Sequence, residues 1–133
     1  MNLVKLSETI AVSGQIGPEH VAGIAAAGYR VLINNRPDGE EPGQPSSAAI
    51  AAAAELAGLV YHYLPITAAS FPGPDVERMG LLLDDSAGPV LAYCRSGTRC
   101  ANLWVASRTA DERALANEHV RSLGYDLSMA ARV

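Results

Sequence analysis

Six consecutive residues, Cys94-Arg95-Ser96-Gly97-Thr98-Arg99, are those whose types and spacing could do chemistry. An apolar run, Val90–Tyr93, ends on the cysteine, and a helix-like stretch begins near Thr98. In that setting the backbone N–H groups of residues 95–99 can turn inward and form an anion-binding nest. The N-terminus of the following helix adds partial positive charge. Gly97 permits a backbone conformation that a side chain would resist. Arg99 brings a planar, always-charged fork that matches a tetrahedral oxyanion. Each feature favours the thiolate of Cys94 over the thiol; free cysteine titrates near ~8.5 and such surroundings bring it to roughly 3.5–7.5. A thiolate in an oxyanion cradle is a nucleophile aimed at a bound phosphoryl group or at an oxidised sulfur. The competing reading is a buried structural cysteine at a strand end. Cysteine, glycine and arginine together at one strand-to-helix turn weigh against it.

Such a loop needs a strand before it, a helix after it and a sheet beneath it. Gly28, Gly58 and Gly88 punctuate the chain evenly, each closing a helix-like segment and preceding an apolar run. Helices are expected over about 18–27, from Ser46–Ser47 to Ala57, from Pro74 to Asp85, over 98–109 and over 111–123. Strands are expected over 9–13, 29–34, 59–65 and 90–93. This alternation predicts a three-layer α/β domain, a mostly parallel sheet flanked by helices, spanning residues 1–133. One connection is long: Asn34–Ser47 holds three prolines, two glycines and three carboxylates and must be irregular. In a parallel sheet it leaves the same C-terminal edge as the Cys94 loop, where open α/β sheets bind ligands.

Composition narrows the partners. The chain has 133 residues, 49% of them hydrophobic, and a net charge of −4. No Lys/Arg block suggests nucleic acid or an anionic membrane, and no apolar run approaches a membrane span. The N-terminus lacks the pattern of a signal peptide. Two cysteines are too few for a disulfide framework, so a reduced, cytoplasmic setting is expected. The His, Cys and carboxylate spacing fits no metal site, and no cofactor is expected.

The loop resembles the active loops of two superfamilies. Protein tyrosine and dual-specificity phosphatases carry H-C-x5-R-[ST], whereas rhodanese sulfurtransferases often carry C-R-x-G-x-R. Here four residues separate Cys94 from Arg99, so the loop length is rhodanese-like. Tyr93 stands where the phosphatases have His, and Cys100 where they have Ser or Thr. Two longer blocks, SGQIGPEHVAGIAAAGYRVLINNRPDGEEPGQPSS and GPVLAYCRSGTR, resemble the phosphatase-like domain family of bacterial β-lactamase hydrolase-like proteins. The resemblance covers about residues 3–128 and implies a tyrosine phosphatase-like fold with phosphatase or sulfurtransferase activity. In some members the domain is fused to a metallo-β-lactamase-like domain linked to persulfide oxidation. This sequence has no H-x-H-x-D-H motif and is expected to stand alone, with a functional link to such a protein.

Phosphorus chemistry needs a general acid for the leaving oxygen. Dual-specificity phosphatases place an Asp after the strand that here reads YHYLP, yet no carboxylate occurs between Leu64 and Gly73. Asp38 is the preferred substitute, with Glu40 and Glu41 as alternatives. Sulfur transfer needs no such acid. The expectation is therefore a Cys94 phosphatase acting through a phosphocysteine on a small anionic ester. The alternatives are a Cys94 persulfide sulfurtransferase and an oxyanion-binding module without turnover. Substrate contacts are expected from Arg95, Ser96, Gly97 and Thr98, mainly through their N–H groups, and from Arg36. Cys100 is expected in the core or as a resolving thiol for Cys94. His62 is read as a packed or edge histidine, and His20 and His119 as solvated.

Overall fold

The computed structural model describes residues 2–85 and 88–133. Among them five strands, β1 (Leu3–Lys5), β2 (Ile10–Ser13), β3 (Val31–Asn34), β4 (Val60–Tyr63) and β5 (Val90–Tyr93), form one sheet. Its order is β1-β2-β5-β3-β4; β2, β5, β3 and β4 run parallel, and β1 pairs antiparallel with β2. Helices α1 (Pro18–Ala26) and α2 (Ser47–Ala57) cover one face, and α3 (Val76–Asp85), α4 (Thr98–Ala106) and α5 (Ala110–Ser122) the other. The three-layer α/β architecture is the expected one. No helix among the described residues is long and apolar enough to cross a membrane.

Burial on both faces explains the unbroken apolar run of β5. Strand side chains alternate sides. Val90, Ala92 and Cys94 therefore enter the α3–α5 core, while Leu91 and Tyr93 enter the α1–α2 core. The parallel register sends the connections after β2, β5, β3 and β4 to one edge of the sheet. The Cys94 loop stands there between the β2 and β3 loops.

Several boundaries differ from expectation. β1 was not foreseen: it is short, at the sheet edge and only half-buried. Tyr29 and Arg30 precede β3 rather than opening it. α4 stops at Ala106 because Thr109 caps α5 instead: its hydroxyl accepts from the Glu112 N–H, and Glu112 reaches back to Thr109. That capping box, Thr-Ala-Asp-Glu, is legible in the sequence. α2 follows its signals, with Ser46 accepting from the Ala49 N–H and Gly58 closing the helix in the left-handed region.

Candidate active site

The loop from Cys94 to Arg99 turns from the buried end of β5 into α4. Gly97 adopts φ 89°, a left-handed conformation, and its N–H donates to Cys94 Sγ at 3.1 Å. A Cβ here would also sit 3.4 Å from the Ser13 backbone and from the Tyr125 hydroxyl. Gly14, in the neighbouring loop, is equally constrained: a Cβ would come within 3.0 Å of the Arg95 carbonyl oxygen. The Gln15 N–H donates to that oxygen at 3.2 Å and locks the two loops together. Ser96 and Thr98 share a 3.0 Å hydroxyl hydrogen bond.

Cys94 and Cys100 are both fully buried, yet their thiols are held in opposite states. The Cys94 pKa is lowered to about 5, first by the hydrogen bond from Cys100, then by backbone N–H groups of Cys100 and Ser96 and by the charge of Arg99, against the opposing effect of burial. Burial and the adjacent sulfur push the Cys100 thiol up. Cys100 thus stays protonated and donates to the Cys94 thiolate.

Arg99 is held by partners distant in sequence. Nη1 donates to Glu40 Oε2 and to the Ile66 carbonyl, both at 2.9 Å, and Nη2 donates to Glu40 Oε1 at 2.8 Å. A guanidinium has five N–H bonds. Those three leave Nε–H and the second Nη2–H, which share one edge of the fork and suit bidentate binding of an oxyanion. Glu40 is in turn held by Nε of Arg36 at 2.8 Å, and Glu41 by Nη2 of Arg36 at 2.8 Å. Arg36 Nη1 donates to Gln15 Oε1 at 3.0 Å.

The geometry gives two of the expected site residues other partners. Arg36, expected among the substrate contacts, is only 1% exposed and donates three of its five N–H bonds to Glu40, Glu41 and Gln15. It positions Arg99 through Glu40. Asp38, expected as the acid, accepts at Oδ1 from the Ser47 N–H (2.7 Å) and so caps α2. Glu40 and Glu41, the alternatives, are held below the usual carboxylate range by hydrogen bonds from Arg99 and Arg36 respectively, and carry no proton near neutral pH. Of the expected contacts, Ser96, Gly97 and Thr98 lie in the loop, and the Arg95 side chain is exposed. His62 lies half-buried on β4, its pKa lowered by burial. His20 and His119 are not merely solvated: His20 Nδ1 accepts from the Gly17 N–H, and His119 Nε2 meets the Leu6 carbonyl. Sequence reasoning missed Gln15, the Ile66 carbonyl and Tyr125. Only Tyr125 left a local hint, as an aromatic beside Gly124.

Fold and loop define the class: a tyrosine phosphatase-like α/β domain with a cysteine at the central strand-to-helix turn. The family described as beta-lactamase hydrolase-like protein, phosphatase-like domain, matches residues 2–111, and the chain belongs to it. A β-lactamase hydrolase-like protein of Xylella fastidiosa is 38% identical over 125 residues, covering 94% of this chain and 29% of its own. The chain thus spans less than a third of that relative's length. A crystal structure of a candidate phosphatase from Neisseria meningitidis is 37% identical with a TM-score of 0.83, over 96% of this chain and 92% of that one. TpbA of Pseudomonas aeruginosa, solved with phosphotyrosine, shares the fold at 19% identity and a TM-score of 0.68, over 98% and 78% of the two chains.

Proposed function

We propose that the protein hydrolyses phosphomonoesters through a phosphocysteine on Cys94. The observation that carries this reading is the pairing of a buried, hydrogen-bonded thiolate with the open edge of Arg99. The Cys94 thiolate attacks phosphorus, the loop N–H groups and Arg99 hold the equatorial oxygens, and the alkoxide leaves. Water then attacks the phosphocysteine and releases phosphate. The thiolate supplies the nucleophile, so the reading requires no metal or cofactor. Since Asp38, Glu40 and Glu41 are engaged elsewhere, good leaving groups are expected to react fastest. Turnover of p-nitrophenyl phosphate, lost in Cys94→Ser, with a phosphoryl adduct on Cys94 in quenched samples, is the expected result. Turnover that survives the substitution would overturn the reading. A single burst without turnover would instead indicate an oxyanion-binding module.

The same engagement of the three carboxylates favours a second reading, sulfane-sulfur transfer. Cys94 would take sulfur from a persulfide or thiosulfate, and the leaving thiolate or sulfite needs no proton. The outer sulfur then passes to an external acceptor, a thiol or sulfite, and the Cys94 thiolate is regenerated. Intact mass after incubation with thiosulfate tests it; absence of a one-sulfur adduct on Cys94 would sink it. That chemistry would suit the reducing cytoplasm and a functional link to a metallo-β-lactamase-like persulfide-oxidising protein. Either way the substrate is a small anion.

A further inference from the structure

A cleft of about 590 Å³ opens beside the catalytic loop. One wall is made by Arg95 and Ser96 of the loop itself, with Gly14 and Gln15 next to them. Asn2, Val4, Leu123 and Tyr125 complete the lining. The β1–β2 register pairs Leu3 with Ser13, which places this opening at the same sheet edge as Cys94. Its volume is within the range of organic ligand sites, roughly 300–1,000 Å³. On the far side of the loop, Glu40 and the Ile66 carbonyl already occupy the end of Arg99.

Arg95 carries the only formal charge among the residues of this cleft. Its side chain is exposed and makes no hydrogen bond or ion pair among the described residues. Glu41 feels its charge but is bonded to Arg36 instead. Tyr125 offers a half-buried ring whose hydroxyl reaches the underside of Gly97, and Leu123 extends the apolar surface. A loop that holds one anion is thus flanked by an apolar wall and a second, uncommitted cation.

We propose that the cleft receives the alcohol portion of the substrate, and that Arg95 selects esters carrying a second anionic group beyond an apolar or aromatic body. This deepens the phosphatase reading and rests on it. The test compares phenyl phosphate with 4-(carboxymethyl)phenyl phosphate, whose methylene insulates the leaving oxygen from the added charge. Wild-type kcat/KM is expected to favour the carboxymethyl ester by about fivefold, the scale of one solvent-facing ion pair. The ratio should fall to near one in Arg95→Ala and invert in Arg95→Glu. A ratio near one in wild type, or one unchanged in Arg95→Ala, overturns the proposal. Calorimetric binding of both esters to Cys94→Ala, with and without Arg95→Ala, reads the same preference without turnover. If p-nitrophenyl phosphate is not hydrolysed by the wild type, the phosphatase reading fails, while the binding ratio still decides the role of Arg95.

Discussion

Cys100, the third residue of α4, hydrogen-bonds to the Cys94 sulfur from inside the helix that follows. Its own burial keeps it a thiol, and that thiol holds its neighbour as a thiolate. Cys94 is reactive in its ionised form, so activity should rise with pH through an apparent pKa of about 5. In Cys100→Ala the donor is lost and the acid limb should move to higher pH by about one to two units, the scale of a hydrogen bond to a charged group. Cys100→Ser keeps a donor and should shift less; pH–rate profiles of kcat/KM compare the three. Glu40 is a second case where type and role differ. As a positioning residue, its change to Gln should lower kcat/KM about tenfold or more by loosening Arg99, while the acid limb stays near its wild-type position. Loss of a basic limb instead would show that Glu40 is a proton donor.

At the scale of elements, α4 must hold both the loop and the segment that carries Tyr125. Asn102 joins them: its Nδ2 donates to the Thr98 and Asp126 carbonyls, and its Oδ1 accepts from the Ala130 N–H. The residue is fully buried. Asn102→Leu should lower unfolding stability by about 2–4 kcal/mol, since the Asp126 carbonyl and the Ala130 N–H lose their partner; denaturant titration measures it. The loop itself was legible because cysteine, glycine and arginine stand within six residues and the preceding run is uniformly apolar. The caps of α2 were legible for a similar reason, being local. Glu40 was not. It meets Arg99 across 59 positions, and no local pattern encodes such a contact. β1 escaped because three edge residues paired to one neighbour need no strong alternation. Arg36 misled because a charged loop residue is ordinarily solvated, and its burial depends on two carboxylates folding over it.

At the scale of the whole molecule, the parallel order β2-β5-β3-β4 brings four loops to one edge, so a domain of 133 residues can surround one sulfur. In the Xylella fastidiosa relative such a domain is a minor part of a longer chain. Its two cores differ in what they hold: the α3–α5 side contains both cysteines, and the α1–α2 side contains Tyr93. Arg99, Glu40, Arg36 and Glu41 form a chain of alternating sign that sums to zero, and Arg95 on the loop balances the Cys94 thiolate. An arriving oxyanion therefore meets oriented dipoles and one donor edge rather than a field of net positive charge. Diffuse fields are screened by salt, and short, buried hydrogen bonds are not. Inhibition by inorganic phosphate should accordingly change less than about threefold between low and physiological ionic strength. On the proposed reading, the anion site works at constant strength in a medium whose salt content varies.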